Sequence, residues 1–303
     1  MCRIYPDAGR AASAGGVPPL ERSSRLNGDG YGQAGMDTLL RTLFGVPALC
    51  VTLIAGSILA LVRAARGAPR ERIDSVYQLV GRTFLRLGGT GLEVHGAAHA
   101  KPDQAYVVVA NHESGWDPFP LIAGLPELPI RFVAKHALMQ IPFFGAALRA
   151  TGNVEVFRTD TAGDLGRLRD GMAKRDPRVS ILFFAEGTRS RDGNLGAFKS
   201  GAFSTAIASR LPVLPVALAG TLRIWTKGIP VLRQGNVVIE VGEPIATDAL
   251  TFEQRGELRD RAREAVRSLR ERARARLAEI DSDPRSAGRR RPGTDRRRFG
   301  SVA

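Results

Sequence analysis

Short apolar segments alternate with helix-like segments between residues 90 and 241, and this alternation restricts the chain to few folds. Seven apolar segments have the length of strands: 92–95, 106–110, 131–134, 153–157, 179–184, 213–218 and 236–241. Four segments between them have the pattern of helices: 118–124, 141–151, 161–174 and 201–209. Because apolar strands that alternate with helices pack as a sheet covered on both faces, we predict an α/β fold over residues 71–250. Its central sheet should be mostly parallel or mixed and flanked by helices.

A run of twenty residues without a charged side chain, 43–62, precedes this domain. A helix of about 20 apolar residues is long enough to cross a bilayer core. We therefore interpret residues 37–70 as a membrane-anchoring hydrophobic helix, although a buried core helix has the same pattern. Arginines follow the run at positions 63, 66, 70 and 72. Since basic flanks tend to stay on the cytoplasmic side, we expect the domain on the cytoplasmic side of the cell membrane.

The remaining segments flank the domain. Residues 1–36 are rich in Gly, Ala, Pro, Ser and Arg and are predicted to be disordered. Apolar residues spaced by three and four predict an amphipathic helix over 72–87, which either lies on the membrane or packs on the domain. Residues 251–281 mix glutamate with arginine and predict a charged C-terminal helix that is exposed over most of its surface. The basic segment 282–303 is predicted to be a disordered tail.

The net charge of +14, almost all from arginine, indicates an anionic partner. Acidic lipid, nucleic acid and an acidic carrier protein all fit, and so do basic faces that are merely solvated. The basic runs lie in segments poor in aromatic residues, which disfavours nucleic-acid binding. Only two cysteines occur, Cys2 and Cys50, so a disulfide framework or a cysteine metal site is not expected and the reducing cytoplasm fits best.

The first chemical motif, NHESGWD, occupies 111–117 directly after a predicted strand. A neutral imidazole is well suited to take a proton near neutral pH, so His112 is a candidate general base. Asp117 can accept a hydrogen bond from the other ring nitrogen and stabilise the imidazolium. The alternative is that Asp117 caps a helix with Pro118 at its first position.

The second motif, FFAEGTRS, occupies 183–190 at the end of another predicted strand. Gly187 permits close approach of a ligand to the backbone, Thr188 offers a hydroxyl, and Arg189 offers a planar donor group suited to phosphate. Alternatively, the segment is a plain strand-to-loop turn.

The chain has no serine nucleophile elbow, HExxH, Walker loop or GxGxxG motif. A histidine base without a protein nucleophile indicates direct transfer of a group to a substrate hydroxyl.

Together, the two motifs resemble the paired signature of the glycerolipid acyltransferases, in particular 1-acylglycerol-3-phosphate acyltransferases. Two weaker blocks follow the same order, 135–158 and 211–221, and the resemblance covers about residues 75–245. It implies that His112 deprotonates the acceptor hydroxyl and that Asp117 supports it. It also implies a substrate site, which comprises Asn111, Arg158, Glu186, Gly187, Thr188, Arg189 and Pro215. Two positions depart from the family pattern: Ala185 stands where proline is usual, and Phe157 where a small acid or amide is usual.

The resemblance further implies a membrane-bound enzyme of phospholipid biosynthesis that makes phosphatidic acid from 1-acylglycerol-3-phosphate. The acyl donor is acyl-CoA or acyl-ACP, and no metal or other cofactor is expected. Another lysolipid acceptor, such as a lyso-ornithine lipid or a remodelled phospholipid, is an alternative that Phe157 keeps open. A non-catalytic, membrane-tethered protein that binds anionic lipid is the alternative outside the enzymes.

Overall fold

The computed structural model describes residues 35–157, 161–190, 192–226, 228–229 and 231–283. The predicted disordered segments 1–36 and 282–303 lie almost wholly outside these residues. Within them, seven strands form one sheet in the order β1-β7-β6-β2-β5-β3-β4. The strands are β1 (Thr90–His95), β2 (Val107–Ala110), β3 (Ile130–Lys135), β4 (Val154–Val156), β5 (Ser180–Phe184), β6 (Val213–Ala219) and β7 (Gly235–Val241).

Helices surround this sheet along the described part of the chain. They are α1 (Val46–Ala65), α2 (Arg70–Leu87), α3 (Pro118–Gly124), α4 (His136–Met139), α5 (Phe144–Ala150), α6 (Thr161–Lys174), α7 (Gly201–Ser209), α8 (Thr221–Ile224) and α9 (Arg255–Ser282). A π-helical turn, Arg41–Gly45, precedes α1, and short 3₁₀ turns lie at Ala97–His99 and Phe252–Gln254.

The sheet is mixed, and five neighbouring strands run in one direction. Strands β6, β2, β5, β3 and β4 pair in parallel, whereas β7 pairs antiparallel to β6 and parallel to β1. The carboxyl ends of the five co-directional strands therefore meet at one edge of the sheet. Loops at such an edge are where open α/β sheets bind ligands.

The central strand β2 divides the core into two layers. Its side chains alternate, so Val108 and Ala110 pack in the layer that includes helices α1 to α3. Val107 and Val109 pack on the other face, in the layer that includes α6, α7 and α9. All four are fully buried. Because both faces of β2 are covered, its sequence is a continuous apolar run and does not alternate with polar residues.

The α/β class, the seven strands and the four predicted helices of the domain are confirmed. The helix predicted at 141–151 begins only at Phe144, after Pro142 and a positive φ of 61° at Phe143. Helices α4 and α8 were not predicted, because a single helical turn leaves no periodicity in the sequence. The amphipathic helix predicted at 72–87 is α2; Val76, Phe84 and Leu85 are buried in it, so it packs on the domain.

The C-terminal segment forms the predicted charged helix, and the structure adds that this helix packs on the domain. One face of α9 is buried against the sheet, through Leu258, Ala262, Val266, Leu269, Arg270, Ala273 and Leu277. Alanines supply part of this face, so it carries a weak hydrophobic signal among the many arginines. The segment 251–281 is therefore a layer of the acyltransferase domain predicted at 71–250 rather than an appendage to it.

Candidate active site

The two sequence motifs meet because they follow neighbouring parallel strands. Strands β2 and β5 pair with Ala110 opposite Phe184, so the loop after β2 starts beside the loop after β5. The Ser190 N–H donates to the His112 carbonyl over 2.8 Å. We call residues 111–117 the catalytic loop and residues 185–196 the EGTR loop.

His112 and Asp117 form the pair that the sequence predicted. His112 Nδ1 lies 2.7 Å from Asp117 Oδ2. The same oxygen accepts hydrogen bonds from the backbone N–H groups of Glu113, at 2.8 Å, and Ser114, at 2.9 Å. A carboxylate at this position fixes the Nδ1–H tautomer, so Nε2 is the ring nitrogen that can take a proton.

Asp117 is the residue before α3, but its side chain makes no capping hydrogen bond to that helix. It turns back toward the catalytic loop and is fully buried, with 0% of its side chain exposed. The alternative prediction of a plain helix cap is therefore wrong for the side chain.

The His112 ring is held on its face as well as at Nδ1. It stacks on Phe184, with ring centroids 4.0 Å apart and planes 13° apart. Phe184 in turn stacks on Phe132. The imidazole retains 16% of its exposure and lines a cavity. The ring is thus positioned from two directions while one edge stays accessible to a substrate.

Glu186 holds the two loops together. Its Oε1 accepts the His112 N–H over 2.9 Å, and its Oε2 accepts the Gly196 N–H over 2.8 Å. The side chain was predicted in the substrate's phosphate site. In the structure, each carboxylate oxygen accepts one backbone hydrogen bond, so the contacts of Glu186 position the two loops.

The next three residues of the EGTR loop turn toward the cavity. Gly187 has a φ of +72°, a conformation that only glycine adopts without strain. Thr188 and Arg189 line the same cavity as His112. Among the described residues, no hydrogen bond or ion pair engages the Arg189 guanidinium, which lies against Gly115. A charged donor group without a protein partner is available to an anion.

Three other predicted substrate residues have different outcomes. Arg158 lies outside the described residues. Asn111 is 1% exposed, donates to the Leu218 carbonyl over 3.0 Å and accepts from the Leu218 N–H over 2.8 Å, so its side chain bridges β2 and β6 instead of facing a substrate. Pro215 lies inside β6, opposite Val109, and is not among the residues that line the cavity. The structure therefore does not bring Asn111 and Pro215 to the cavity lining, and their positions in the motifs do not reveal where the side chains point.

Lys135 was not predicted as a site residue. It ends β3 at the same edge of the sheet and lines the cavity beside Thr188 and Arg189. Its position after an apolar strand is the signal that could have identified it, since carboxyl ends of co-directional strands converge. Lys135 and Arg189 make the polar end of the cavity positive.

The cavity has a volume of about 620 Å³, within the usual size range for small-molecule sites. His112, Lys135, Thr188 and Arg189 lie at its polar end. Most of the remaining lining is apolar, with Ser57 and Tyr77 as polar members. The apolar residues come from helices α1 to α5, the loop before α5, and strands β3 and β5: Leu53, Gly56, Ala60, Val76, Val80, Phe119, Ile122, Phe132, Val133, Ala134, Ala137, Leu138, Ile141, Phe144, Ala147, Leu148 and Phe184. The arrangement suits a ligand with one anionic end and a long apolar part.

Glu113 points away from the cavity, toward α9. Its carboxylate is 5% exposed and lies 3.0 Å from Arg270 Nε. Burial raises the pKa of Glu113, and the ion pair with Arg270 opposes this shift only in part. Glu113 is therefore a buried acid whose side chain is bound by α9, a helix far away in the sequence.

Known proteins give an independent view of this site. A family model described as Acyltransferase matches residues 91–219, which include both loops. The 1-acyl-sn-glycerol-3-phosphate acyltransferase alpha of Homo sapiens is 30% identical over 239 residues, covering 77% of this chain and 80% of the human protein. The enzyme of the same name from Limnanthes douglasii is 27% identical over 206 residues, covering 67% of this chain and 72% of its own.

A solved structure agrees with these relatives. The crystal structure of the 1-acyl-sn-glycerophosphate acyltransferase PlsC from Thermotoga maritima matches with a TM-score of 0.67 and 25% identity. The match covers 82% of this chain and 98% of that one. It extends the likeness beyond the two motifs to most of the fold. The chain belongs to the acyltransferase family of the 1-acyl-sn-glycerol-3-phosphate acyltransferases.

Proposed function

We propose that this enzyme transfers a fatty acyl group from a thioester donor to the free hydroxyl of 1-acylglycerol-3-phosphate and so forms phosphatidic acid for phospholipid biosynthesis. The observation that carries the proposal is the position of the His112–Asp117 pair at the junction of a cationic site and a long apolar cavity. Relatives that are named for this acceptor support the choice of substrate.

The acceptor's phosphate suits the polar end of the cavity. Arg189 and Lys135 supply positive charge there, and Thr188 supplies a hydroxyl. Each charge-assisted hydrogen bond to phosphate should contribute about 1.5–3 kcal/mol. The acyl chains suit the apolar end, because alkyl groups gain free energy by leaving water for such a lining.

The reaction can proceed through a single base. His112 Nε2 takes the proton of the acceptor hydroxyl while the oxygen attacks the thioester carbonyl carbon. Asp117 stabilises the imidazolium that results. The carbon–sulfur bond then breaks, and the imidazolium returns the proton to the leaving thiolate, so that the products are the new ester and the free thiol. No step needs a metal or another cofactor.

We propose that the enzyme works at a membrane. The helix Gly35–Ala65 is long and apolar enough to cross a bilayer, and only 17% of its most apolar window is buried. The exposed side chains of α1 include Val51, Ile54 and Ile58. The opposite side of α1 lines the cavity through Leu53, Ser57 and Ala60, which favours a helix that lies in one leaflet beside the domain. The arginines after α1 favour the cytoplasmic side.

A matrix of donors and acceptors tests the proposal. Purified protein is supplied with acyl-CoA or acyl-ACP as donor, and with 1-acylglycerol-3-phosphate, a lyso-ornithine lipid or a lysophospholipid that lacks a terminal phosphate as acceptor. We expect phosphatidic acid to be the main product, from either donor. Turnover of another lysolipid with none of 1-acylglycerol-3-phosphate would contradict the proposed acceptor, and vesicle binding without any acyl transfer would contradict the proposed chemistry.

A further inference from the structure

The long helix α9 presents arginines to the back of the active site. Most of its buried residues are apolar, but Arg270 lies among them, between Leu269 and Ala273, with 7% of its surface exposed. Taking a guanidinium out of water is costly unless it is paired with good geometry. A buried arginine in a packing face therefore calls for an explanation.

Arg270 reaches the catalytic loop. Its Nε donates to Glu113 Oε1 over 3.0 Å, and the two side chains are 8% and 5% exposed. The residues are 157 positions apart, so the contact joins the C-terminal helix to the loop after β2. Glu113 takes no part in the reaction proposed above, and its side chain points away from the cavity.

Glu113 is nevertheless linked to the catalytic pair through its backbone. Its N–H donates to Asp117 Oδ2 over 2.8 Å, and that oxygen also accepts from His112 Nδ1. A shift of Glu113 would therefore move a donor that helps to place Asp117. Arg270 binds the side-chain carboxylate of the same residue.

Two more arginines of α9 hold the EGTR loop. Arg274 Nη2 donates to the Gly193 carbonyl over 2.7 Å and lies 3.8 Å from Glu113 Oε1. Arg263 donates to the Gly196 and Leu195 carbonyls over 3.0 Å and 3.2 Å. These two arginines thus contact the stretch that follows Arg189.

We infer that Arg270 and Arg274 of α9 are positioning residues, which hold the catalytic loop and the EGTR loop in register through Glu113 and the Gly193 carbonyl. The inference rests on the role proposed for His112. It gives the C-terminal helix α9, which lies outside both sequence motifs, a role in positioning the active site. Arg270 should set the geometry of the His112–Asp117 pair, and Arg274 should set that of the Arg189 segment.

The two arginines should affect different kinetic constants. Loss of Arg270 releases the catalytic loop while the cavity and Arg189 stay in place, so kcat should fall with little change in the KM of the acceptor. Loss of Arg274 releases the loop that follows Arg189, so the KM of the acceptor should rise. A displacement of about 1 Å at a reacting group can lower a rate by roughly 100-fold.

The experiment compares Arg270→Met with Arg267→Met in the full chain. Arg267 lies one turn away on the same helix and pairs only with the exposed Glu264 and Glu271 among the described residues, which makes it a matched control. We expect kcat of Arg270→Met to be about 10- to 100-fold below that of Arg267→Met, with acceptor KM changed less than about 3-fold. Equal kcat in the two folded variants would overturn the inference.

A second variant covers the case in which Arg270→Met does not fold, since it leaves Glu113 buried without its partner. Glu113→Gln/Arg270→Met removes both charges and should fold, yet kcat should stay low because the contact is still missing. A wild-type kcat in this double variant would overturn the inference. The Arg274 side chain is 48% exposed, so Arg274→Met should fold. It should raise the acceptor KM by about 10-fold, and an unchanged KM would contradict the positioning role of Arg274.

His112→Ala, measured in parallel, separates this inference from the proposed function. If His112→Ala is inactive while the arginine variants match the control, the helix has no positioning role and the proposed reaction stands. If His112→Ala keeps full acyl transfer, the proposed base is wrong and the positioning role falls with it.

Discussion

At the scale of single residues, one oxygen atom organises the catalytic pair. Asp117 Oδ2 accepts from His112 Nδ1 and from two backbone N–H groups, while Oδ1 is buried without a hydrogen-bond partner among the described residues. The carboxylate therefore supplies geometry and charge through the same atom. Substitutions can separate these two contributions.

Asp117→Asn should remove the charge and keep the geometry. The amide oxygen can take the place of Oδ2 and accept all three hydrogen bonds, while the amide nitrogen takes the place of Oδ1. We expect kcat to fall on the order of 100-fold, because the imidazolium loses its buried counter-charge, with KM little changed. Steady-state kinetics with matched circular dichroism spectra checks this, and a variant within threefold of the wild-type kcat would show that the charge is dispensable.

Glu113→Gln should change how stability depends on pH. Burial raises the pKa of Glu113 above its usual 4.5, so the folded state holds this proton more tightly than the unfolded state. Its stabilising contribution is complete below pH 4.5 and is lost as pH rises through the folded-state pKa. The stability of Glu113→Gln relative to wild type should therefore increase as pH rises above 4.5. Urea unfolding at pH 4.5 and pH 7 measures the difference; a constant or decreasing difference would contradict the raised pKa.

At the scale of elements, strands were easier to predict than the contacts between distant elements. The strands are runs of apolar residues, and β2 and β5 display their following loops because both end at the same edge. The position of α9 behind these loops was not predictable, since its buried face consists partly of alanine and its decisive contact joins Glu113 to Arg270 across the chain. The contact of Asn111 was not predictable for a related reason: its partner, the Leu218 backbone, lies on another strand.

The turn that begins the EGTR loop depends on glycine. Gly187 has a φ of +72°, so Gly187→Ala should lower the free energy of unfolding by about 1–2 kcal/mol. It should also raise acceptor KM, because Thr188 and Arg189 follow directly. Gly166 is a matched control, since it lies within α6 with open space around it. Gly166→Ala should raise stability by about 0.5–1 kcal/mol without affecting KM. The same sign of stability change in both variants would contradict the conformational argument.

At the scale of the whole molecule, the apolar cavity and the apolar outer surface share helix α1. One side of α1 lines the cavity beside the catalytic loop, and the other side is exposed. At the membrane location proposed above, α1 would separate the cavity from the lipid. The buried-helix alternative for this segment does not explain the exposed side.

Membrane binding should depend on that exposed side. Val51 is 65% exposed and Ile54 is 46% exposed, so Val51→Ser/Ile54→Ser should weaken vesicle binding by roughly 100-fold, since each lost apolar side chain contributes about 1.5 kcal/mol when buried. Leu165 of α6, on the other face of the sheet, is 39% exposed, and Leu165→Ser should bind as wild type does. Sedimentation with vesicles measures both, and unchanged binding of the double variant would place the membrane contact elsewhere.

The central proposal is that His112 is the base for acyl transfer to a lipid hydroxyl, and loss of the imidazole tests it most directly. Formation of phosphatidic acid from 1-acylglycerol-3-phosphate is measured for wild type and His112→Ala in vesicles of the same composition, with thermal unfolding measured alongside. We expect the variant to fold and to bind vesicles normally, and its kcat to fall on the order of 1,000-fold or more, within the range for loss of general base catalysis. Full acyl transfer by a folded His112→Ala variant would contradict the proposal.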